Sequence, residues 1–482
     1  MHRISGSHLT PDIFSFILIS NLPMREIFPI IDPFDKLLGE QPYSQYTWER
    51  YRPLTYCITE HIPEGVLLFN TMTKSMVLLS YAEMESIRLG GAPLSELVEN
   101  WFYVLEDHDD KTLCQQVRNV AKMLLPPVKN ITGYTIFTTT DCNARCFYCF
   151  EKSAKRIPMS SAVAEKTAEF IAEHCGGKEV SLSWFGGEPL YNMGAIDIIC
   201  CRLEERGVSF RSTMVSNGYL FDSEIVRKAK EMWKLRNVQI TLDGTEDVYN
   251  KTKAFIHKGV NAFRRVIGNI HLLLDADITV DIRLNIDTYN SDDLLDLSGL
   301  LVKEFSGKRG LYVYVHPLFG SNMHYALHDP VKRKDIFVRM EQLQETFDGA
   351  GMGRNSLYRR YIKTNCCMAD NHMSLTILPS GQFGKCEHYM EDHFVGHLDK
   401  GGLFDQEELA AYRQTHPDIE ECEHCPIYPD CIRLIRCDSF FGCYPESRNY
   451  ALNRLRSEMR AVYYAKKINA DQDSATDESK PC

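Results

Sequence analysis

Between residues 134 and 315 the chain alternates two hydrophobic rhythms. Short β-branched and aromatic runs give way to stretches whose apolar positions recur every three or four residues, and the alternation repeats. Tyr134–Thr140 is the first strand this pattern predicts. Ser160 and Ser161 then open a helix with Val163, Thr167, Phe170 and His174 on one stripe, a hydroxyl being a good acceptor for the orphan amides of a first turn. Further strands are predicted at Val180–Phe185, Ser209–Val215, Val238–Leu242, Ile278–Leu284 and Leu311–Val315. The helices between them fall at Gly194–Glu205, Ser223–Lys234, Phe263–Leu274 and Asp293–Phe305. Strands alternating with helices imply an α/β fold built on a parallel sheet, a partial (β/α)6 TIM barrel whose open side admits a large substrate. In such a barrel the functional groups gather at the C-terminal ends of the strands.

The pattern differs on either side of this barrel, assigned to residues 129–345. In residues 25–128, Val66–Phe69 and Met76–Leu79 are short apolar runs joined by a polar turn, which predicts a β-hairpin. Helical spacing follows through Met84, Ile87 and Arg88, and Pro93 starts a second helix with Leu94, Leu97, Val98 and Trp101 on one face. This is a small α+β unit, closed by the break at Pro126-Pro127. Residues 1–24 are an uninformative leader or a misassigned start: the apolar run Ile13–Leu22 is about half the ~20 residues that span a bilayer, and Met24 opens a more ordinary sequence. Residues 346–450 are rich in cysteine. In 451–482, Leu452, Leu455, Met459, Val462 and Tyr463 keep helical spacing, and the polar, acidic stretch from Ala470 to Cys482 is predicted to be disordered.

At 482 residues the chain exceeds one ordinary core, in keeping with these several units. Apolar residues at 44% and charged residues at 25% are those of a soluble globular protein. The formal charge of −11, without an extended basic run, argues against a nucleic-acid surface, and no membrane span is expected. The 17 cysteines change the picture most. Cys57, Cys114, Cys175, Cys200, Cys201 and Cys482 are scattered, whereas the other eleven fall in the loop 142–149 or between Cys366 and Cys443. In a long chain such clustering points to metal ligands in a reducing, cytoplasmic, oxygen-poor setting.

Cys142, Cys146 and Cys149 follow the first barrel strand at CxxxCxxC spacing. Three thiolates so placed can hold three corners of a 4Fe-4S cubane and leave the fourth iron open, which suits chemistry at the metal. A structural zinc would need a fourth Cys or His nearby, and Phe150, Glu151, Lys152 and Ser153 supply none. With Tyr148 before the last cysteine, this loop resembles that of the radical S-adenosylmethionine (SAM) enzymes, in particular the branch with a C-terminal SPASM domain. The resemblance implies that the open iron chelates the amine and carboxylate of SAM, and that one electron cleaves the sulfonium to a 5′-deoxyadenosyl radical that abstracts hydrogen from substrate. It also implies an electron donor such as flavodoxin or ferredoxin.

Motifs at later strand ends extend the resemblance. Gly186, Gly187 and Glu188 with Pro189 match the family's GGEP motif, which contacts the SAM amine; a carboxylate suits a cation, and glycines let backbone approach a ligand. Ser216 and Asn217 with Gly218, and Thr241-Leu242-Asp243-Gly244, resemble the stretches that line the ribose side, although polar residues before glycine are also ordinary turn chemistry. Arg283 on the fifth strand either forks onto the methionine carboxylate or faces solvent. After the Asp243 stretch the family usually carries His-Asp and an arginine. Here the run reads Val248 to Lys253, a departure that puts the carry-over of any substrate contact to Lys253 in doubt.

The cysteine-rich end resembles the seven-cysteine SPASM pattern through Cys366 or Cys367, Gly381-x4-Cys386, and Cys422-x2-Cys425-x5-Cys431. It departs at Cys437 and Cys443, each of which follows a gap of five residues. The resemblance implies two auxiliary 4Fe-4S clusters, one on Cys366 or Cys367 with Cys386 and Cys437, the other on Cys422, Cys425, Cys431 and Cys443. Cys437 and Cys443 could exchange places, and a zinc ribbon is the alternative for Cys422 and Cys425. Glu387 takes the place of an aspartate base in sulfatase-maturing relatives; it is a general-base candidate or a surface carboxylate. The N-terminal hairpin and helices resemble the element with which ribosomal-peptide maturases add a leader peptide as an extra strand, the alternative being a simple cap. The expected function is a peptide maturase that installs a thioether or carbon–carbon cross-link in a precursor peptide. Formylglycine formation on a sulfatase-type protein substrate, and a non-catalytic iron–sulfur scaffold or electron carrier, are the competing expectations.

Overall fold

The computed structural model describes residues 50–123, 130–152, 154–257, 259–318, 325–354, 367–388, 392–401, 404–437 and 442–477. The proposed leader at 1–24, the Pro126-Pro127 break, Cys366 and Cys482 lie outside the described residues. The first unit runs β1 (Tyr51–Pro53), β2 (Cys57–Ile62), β3 (Gly65–Asn70), β4 (Met76–Leu79), α1 (Tyr81–Arg88), α2 (Ser95–Glu99), β5 (Tyr103–Leu105) and α3 (Asp110–Met123). Barrel elements follow as β6 (Gly133–Thr139), α4 (Ser161–His174), β7 (Val180–Gly186), α5 (Met193–Glu205), β8 (Phe210–Ser216), α6 (Ser223–Glu231), β9 (Leu235–Thr241), α7 (Glu246–Lys253), α8 (Ala262–Asp275), β10 (Thr279–Ile286), α9 (Asp293–Phe305) and β11 (Leu311–Pro317). The chain continues through α10 (Tyr325–His328), α11 (Pro330–Gly349), β12 (Ser374–Ile377), β13 (Gln382–Gly384), β14 (Gly396–His397), α12 (Gln406–Ala411) and α13 (Pro445–Asp477).

The six strands legible in the sequence lie side by side in chain order, all parallel. Their helices start where short polar side chains catch free amides: Ser160 accepts from Val163 N, Asp222 from Ile225 N and Asn261 from Arg264 N. Period-2 alternation sends Val180, Leu182, Trp184, Val238, Ile240, Ile282 and Val313 into the core with the helices. The alternate positions, among them Ser183, Thr213, Gln239, Arg283 and Tyr314, are only half-buried and give the opposite face a polar lining. This is the mixed α/β, partial TIM-barrel architecture that the periodicity implies.

Three features depart from it. The sheet has nine strands in the order β11-β10-β9-β8-β7-β6-β12-β13-β14, because β12 pairs in parallel with β6 and β13 and β14 extend it antiparallel. The β6 edge is therefore occupied by the cysteine-rich segment. Helix α7 stands where no apolar stripe predicts one. The domain limits at 345 and 450 fall inside α11 and α13, and α13 carries on to Asp477, past Ala470, where polar composition predicted disorder. Alanine and long polar side chains tolerate a helix without needing a buried face.

The first unit is a three-stranded antiparallel sheet, β2-β3-β4, with the predicted hairpin in register Val66↔Leu79. Asn70 shapes its turn by accepting from Met72 N and Thr73 N. The second predicted helix stops at Glu99, so Trp101 lies beyond it in the left-handed region (φ 63°). One sheet face packs Val66, Leu68 and Val77 on Leu97, Val98 and Phe102. The other packs Ile58, Leu67 and Phe69 on Met459 and Val462 of α13. A third small core joins Leu54, Tyr56, Met72 and Val117 to Cys422 and Tyr428, and Arg118 of α3 donates to the carbonyls of Tyr428 (3.0 Å) and Cys431 (2.8 Å).

Candidate active site

The loop that follows β6 brings Cys142, Cys146 and Cys149 within each other's electrostatic reach at the C-terminal end of the sheet. Burial pushes the Cys142 thiol up to about 12 and the Cys149 thiol up to about 11, and it raises Cys146 as well. Asp141 orders the loop's start by accepting from Cys142 N at 2.8 Å. Asn217, from the end of β8, donates to Asn143 Oδ1 (2.7 Å) and reaches Cys142 Sγ (3.7 Å).

Gly186 and Gly187 are required by the packing of this loop. A Cβ on Gly186 (φ 118°) would sit 2.1 Å from Thr139 O, and one on Gly187 would sit 2.4 Å from Asp141 O. Gly187 N and Glu188 N then donate to Thr139 O and Asp141 O. Glu188 is fully buried and accepts from Ser216 Oγ (2.9 Å), Asn217 N (2.8 Å) and Leu190 N (3.2 Å). Burial pushes its carboxyl up to about 7 despite these donors. A cation placed here would find an acid ready to lose its proton.

Asp243, after β9, is buried with Tyr148 and Lys253. Lys253 Nζ stands 2.8 Å from Asp243 Oδ2 and 2.8 Å from the Tyr148 hydroxyl, which donates to Asp243. Burial alone would lower the Lys253 pKa, but the Asp243 carboxylate holds it well above its ordinary value. Lys253, the residue at which the family motif breaks off, is thus an integral part of the site. Its position was marked in the sequence only as a departure from that motif; its burial was not, since a lysine is seldom 3% exposed.

Arg283 lies half-buried on the polar face of the sheet, its Nε on Asn285 Oδ1 (2.8 Å) and its Nη2 3.3 Å from His316 Nδ1. Burial and the Arg283 charge push His316 down to about 3, which keeps it neutral. Glu151, two residues past Cys149, is another group the sequence did not single out: it is buried, its Oε2 has no hydrogen-bond partner, and burial pushes it up to about 8.

The C-terminal cysteines gather in two further groups. Cys386 lies within electrostatic reach of Cys367 and Cys437, with Glu387 beside both Cys367 and Cys386. Cys425 lies within reach of Cys422 and Cys443, and Cys431 within reach of Cys425 and Cys443. Arg448 of α13 donates to Cys443 Sγ at 3.4 Å. The first group faces the barrel loop, since the ring of His388 stacks on Phe150 with centroids 4.9 Å apart. The second abuts the N-terminal unit through Tyr428 and Cys431. Among the described residues no three His, Cys, Asp or Glu side chains stand closely enough to hold a single metal ion.

The donor set fits iron–sulfur ligation. Mostly half-buried thiols stand within electrostatic reach of one another in each group, and desolvation raises every shifted one; a cationic centre is what reverses such shifts. In the barrel loop the Asn143 Nδ2 is buried without a partner among the described residues, an orphaned donor next to Cys142.

Residues 136–301 match the model of the Radical SAM superfamily. The chain therefore carries a Radical SAM domain, a class whose implied cofactors are a 4Fe-4S cluster and SAM. A probable GTP 3′,8-cyclase of Methanosarcina mazei is 24% identical over 216 residues, 42% of this chain and 60% of the relative. The radical SAM cyclopropyl synthase TigE of Paramaledivibacter caminithermalis is 25% identical over 192 residues, 35% of this chain and 39% of the relative. The chain thus spans between 39% and 60% of the length of these curated relatives. Among solved structures, anSMEcpe with bound AdoMet superposes with a TM-score of 0.49 at 17% identity, covering 70% of this chain and 98% of that one. Among the described residues, no helix is long and apolar enough to cross a membrane.

Proposed function

We propose that the protein is a radical SAM peptide maturase with one catalytic and two auxiliary 4Fe-4S clusters, acting on a precursor peptide to install a thioether or carbon–carbon cross-link. The observation that carries this reading is the sorting of ten cysteines into three groups, Cys142/Cys146/Cys149, Cys367/Cys386/Cys437 and Cys422/Cys425/Cys431/Cys443. A redox-neutral cleavage would have no use for so many thiolates, whereas a cross-link formed from a substrate radical must pass on an electron.

When bound at the barrel loop, the cluster supplies the electron that cleaves SAM and so generates the hydrogen-abstracting radical. The chain's own residues bind and orient. Glu188, pushed up to about 7, gives up its proton to accept the SAM ammonium, with Ser216 and Asn217 N fixing its two oxygens. Arg283 presents a guanidinium on the polar face for a carboxylate. Glu387, beside Cys367 and Cys386, is the candidate proton acceptor when the substrate radical is oxidised. The N-terminal sheet suits capture of an extended peptide: α13 lies against β2, with Arg456 donating to Thr59 O, so β4 is the edge to which a leader strand adds.

Anaerobic reconstitution of four proteins tests the reading: wild type, the Cys142→Ala/Cys146→Ala/Cys149→Ala triple variant, and the Cys386→Ala/Cys437→Ala and Cys425→Ala/Cys431→Ala pairs. Each variant should lose about four irons, and only the first should lose all 5′-deoxyadenosine release. Wild-type protein that binds zinc in place of iron, or releases no 5′-deoxyadenosine, would refute it.

A further inference from the structure

The loop 142–149 has no helix or strand of its own, yet three thiols on it must keep one arrangement. Beside each cysteine stands a residue tied to the short segment 253–256. Next to Cys142, the carbonyl of Asn143 accepts from Ile256 N at 2.9 Å. Next to Cys146, Arg145 N donates to the Lys253 carbonyl at 2.8 Å. Next to Cys149, the Tyr148 hydroxyl accepts from Lys253 Nζ at 2.8 Å. The segment can make all three ties because α7 ends in a left-handed turn at Ala254 (φ 45°), a conformation that costs a non-glycine residue about 1 kcal/mol and reverses the chain toward the loop. Lys253 is itself fixed by Asp243 at 2.8 Å, in a site from which water is excluded.

We infer that Lys253 is a positioning residue of the cysteine loop: its ammonium and its carbonyl, braced on Asp243, set the placement of Cys146 and Cys149 before any cofactor binds. A buried charge is expensive, and the retention of this one is accounted for by the loop it orders. The inference rests on reading the three cysteines as cluster ligands. It goes further in naming a brace within the chain, on a segment where the family motif is absent.

Amide hydrogen exchange of the cluster-free full-length protein tests the brace directly. Lys253→Met should raise exchange across 142–149 about tenfold, the loss of one charge-assisted hydrogen bond, while β8 to β11 keep their protection. Tyr148→Phe removes only the hydroxyl and should raise exchange near Cys149 severalfold. It also keeps the test open if the lysine variant does not fold. In the Tyr148→Phe background, Lys253→Met should add clearly less than it does alone, because the two share one interaction. In reconstituted protein the variants should raise KM for SAM about tenfold with a smaller change in kcat, a split that general destabilisation would not produce. Unmoved exchange in 142–149 in both variants overturns the inference whatever the iron content. If the wild type takes up no iron but the exchange follows this pattern, the cluster reading falls and the brace stands.

Discussion

Replacing Glu188 with glutamine should make SAM binding insensitive to pH in the range where the wild type is steep. The carboxyl is fully buried, and burial raises it from 4.5 to about 7. Because the folded-state value is raised, the folded protein keeps a proton that the unfolded chain gives up. The site's contribution to stability therefore falls as pH climbs from about 4.5 to about 7, by roughly 3 kcal/mol at the alkaline plateau. A cation docking on Glu188 selects the ionised form. At about pH 6 roughly a tenth of the sites are ionised and at about pH 7.5 roughly three quarters, while an α-amino group of pKa about 7.7–8.0 begins to lose its own proton, so SAM affinity should rise about fivefold across this window. Titration calorimetry of the reconstituted protein, in buffers of different ionisation enthalpy, would report both that slope and the proton released on binding. The glutamine variant loses an acceptor as well as a charge, which weakens binding at every pH but cannot create a slope. A flat wild-type profile, or an equal slope in the variant, would refute the assignment.

Three further outcomes follow from the packing. Met459→Ala empties a fully buried contact between α13 and the first sheet and should cost about 2–4 kcal/mol, seen as earlier protease cleavage of residues 50–123 on heating. Arg118→Met keeps an apolar stem but removes the guanidinium that lies over the Tyr428 ring and its two donors to the carbonyls of Tyr428 and Cys431; amide protection around 422–431 should drop by about tenfold. Tyr134→Phe removes a buried hydroxyl that has no partner and should be neutral, or stabilise by up to about 1 kcal/mol in a thermal melt.

The parallel core was legible because each of its strands carries enough β-branched residues to show a period, and each helix enough stripe to show the other. Strands β12, β13 and β14 were not. They hold four, three and two residues, and the pairing of β12 with β6 that brings them to the sheet is a long-range event that no local pattern announces. Helix α7 was missed for a related reason: its buried residues are Tyr249, Thr252 and Lys253, two of them polar. The cysteine spacing exposed the three thiol groups, since ligand geometry must be encoded locally. What it could not expose was their support. Lys253 and Glu151 read as ordinary surface residues, and only the fold shows the burial that changes their chemistry. The glycines before Glu188 show the reverse case. Their need for space was evident, but what occupies that space is the chain's own backbone.

The seam between the first sheet and α13 has a consequence for how the protein is made. Arg456 Nε meets Thr59 O across 397 residues of sequence, and Met459 completes the core of strands synthesised long before it. At about 5–20 residues per second, Ile58, Leu67 and Phe69 leave the ribosome roughly 20–80 s ahead of the side chains that cover them. During that interval one face of the sheet is a sticky, unshielded surface, so production of the protein should depend on chaperone supply more than its final packing suggests. Nascent chains stalled before Pro445 would be cleaved readily in residues 50–80, and chains stalled well beyond Tyr464 would resist; equal cleavage of the two would show that the sheet does not wait for its cover.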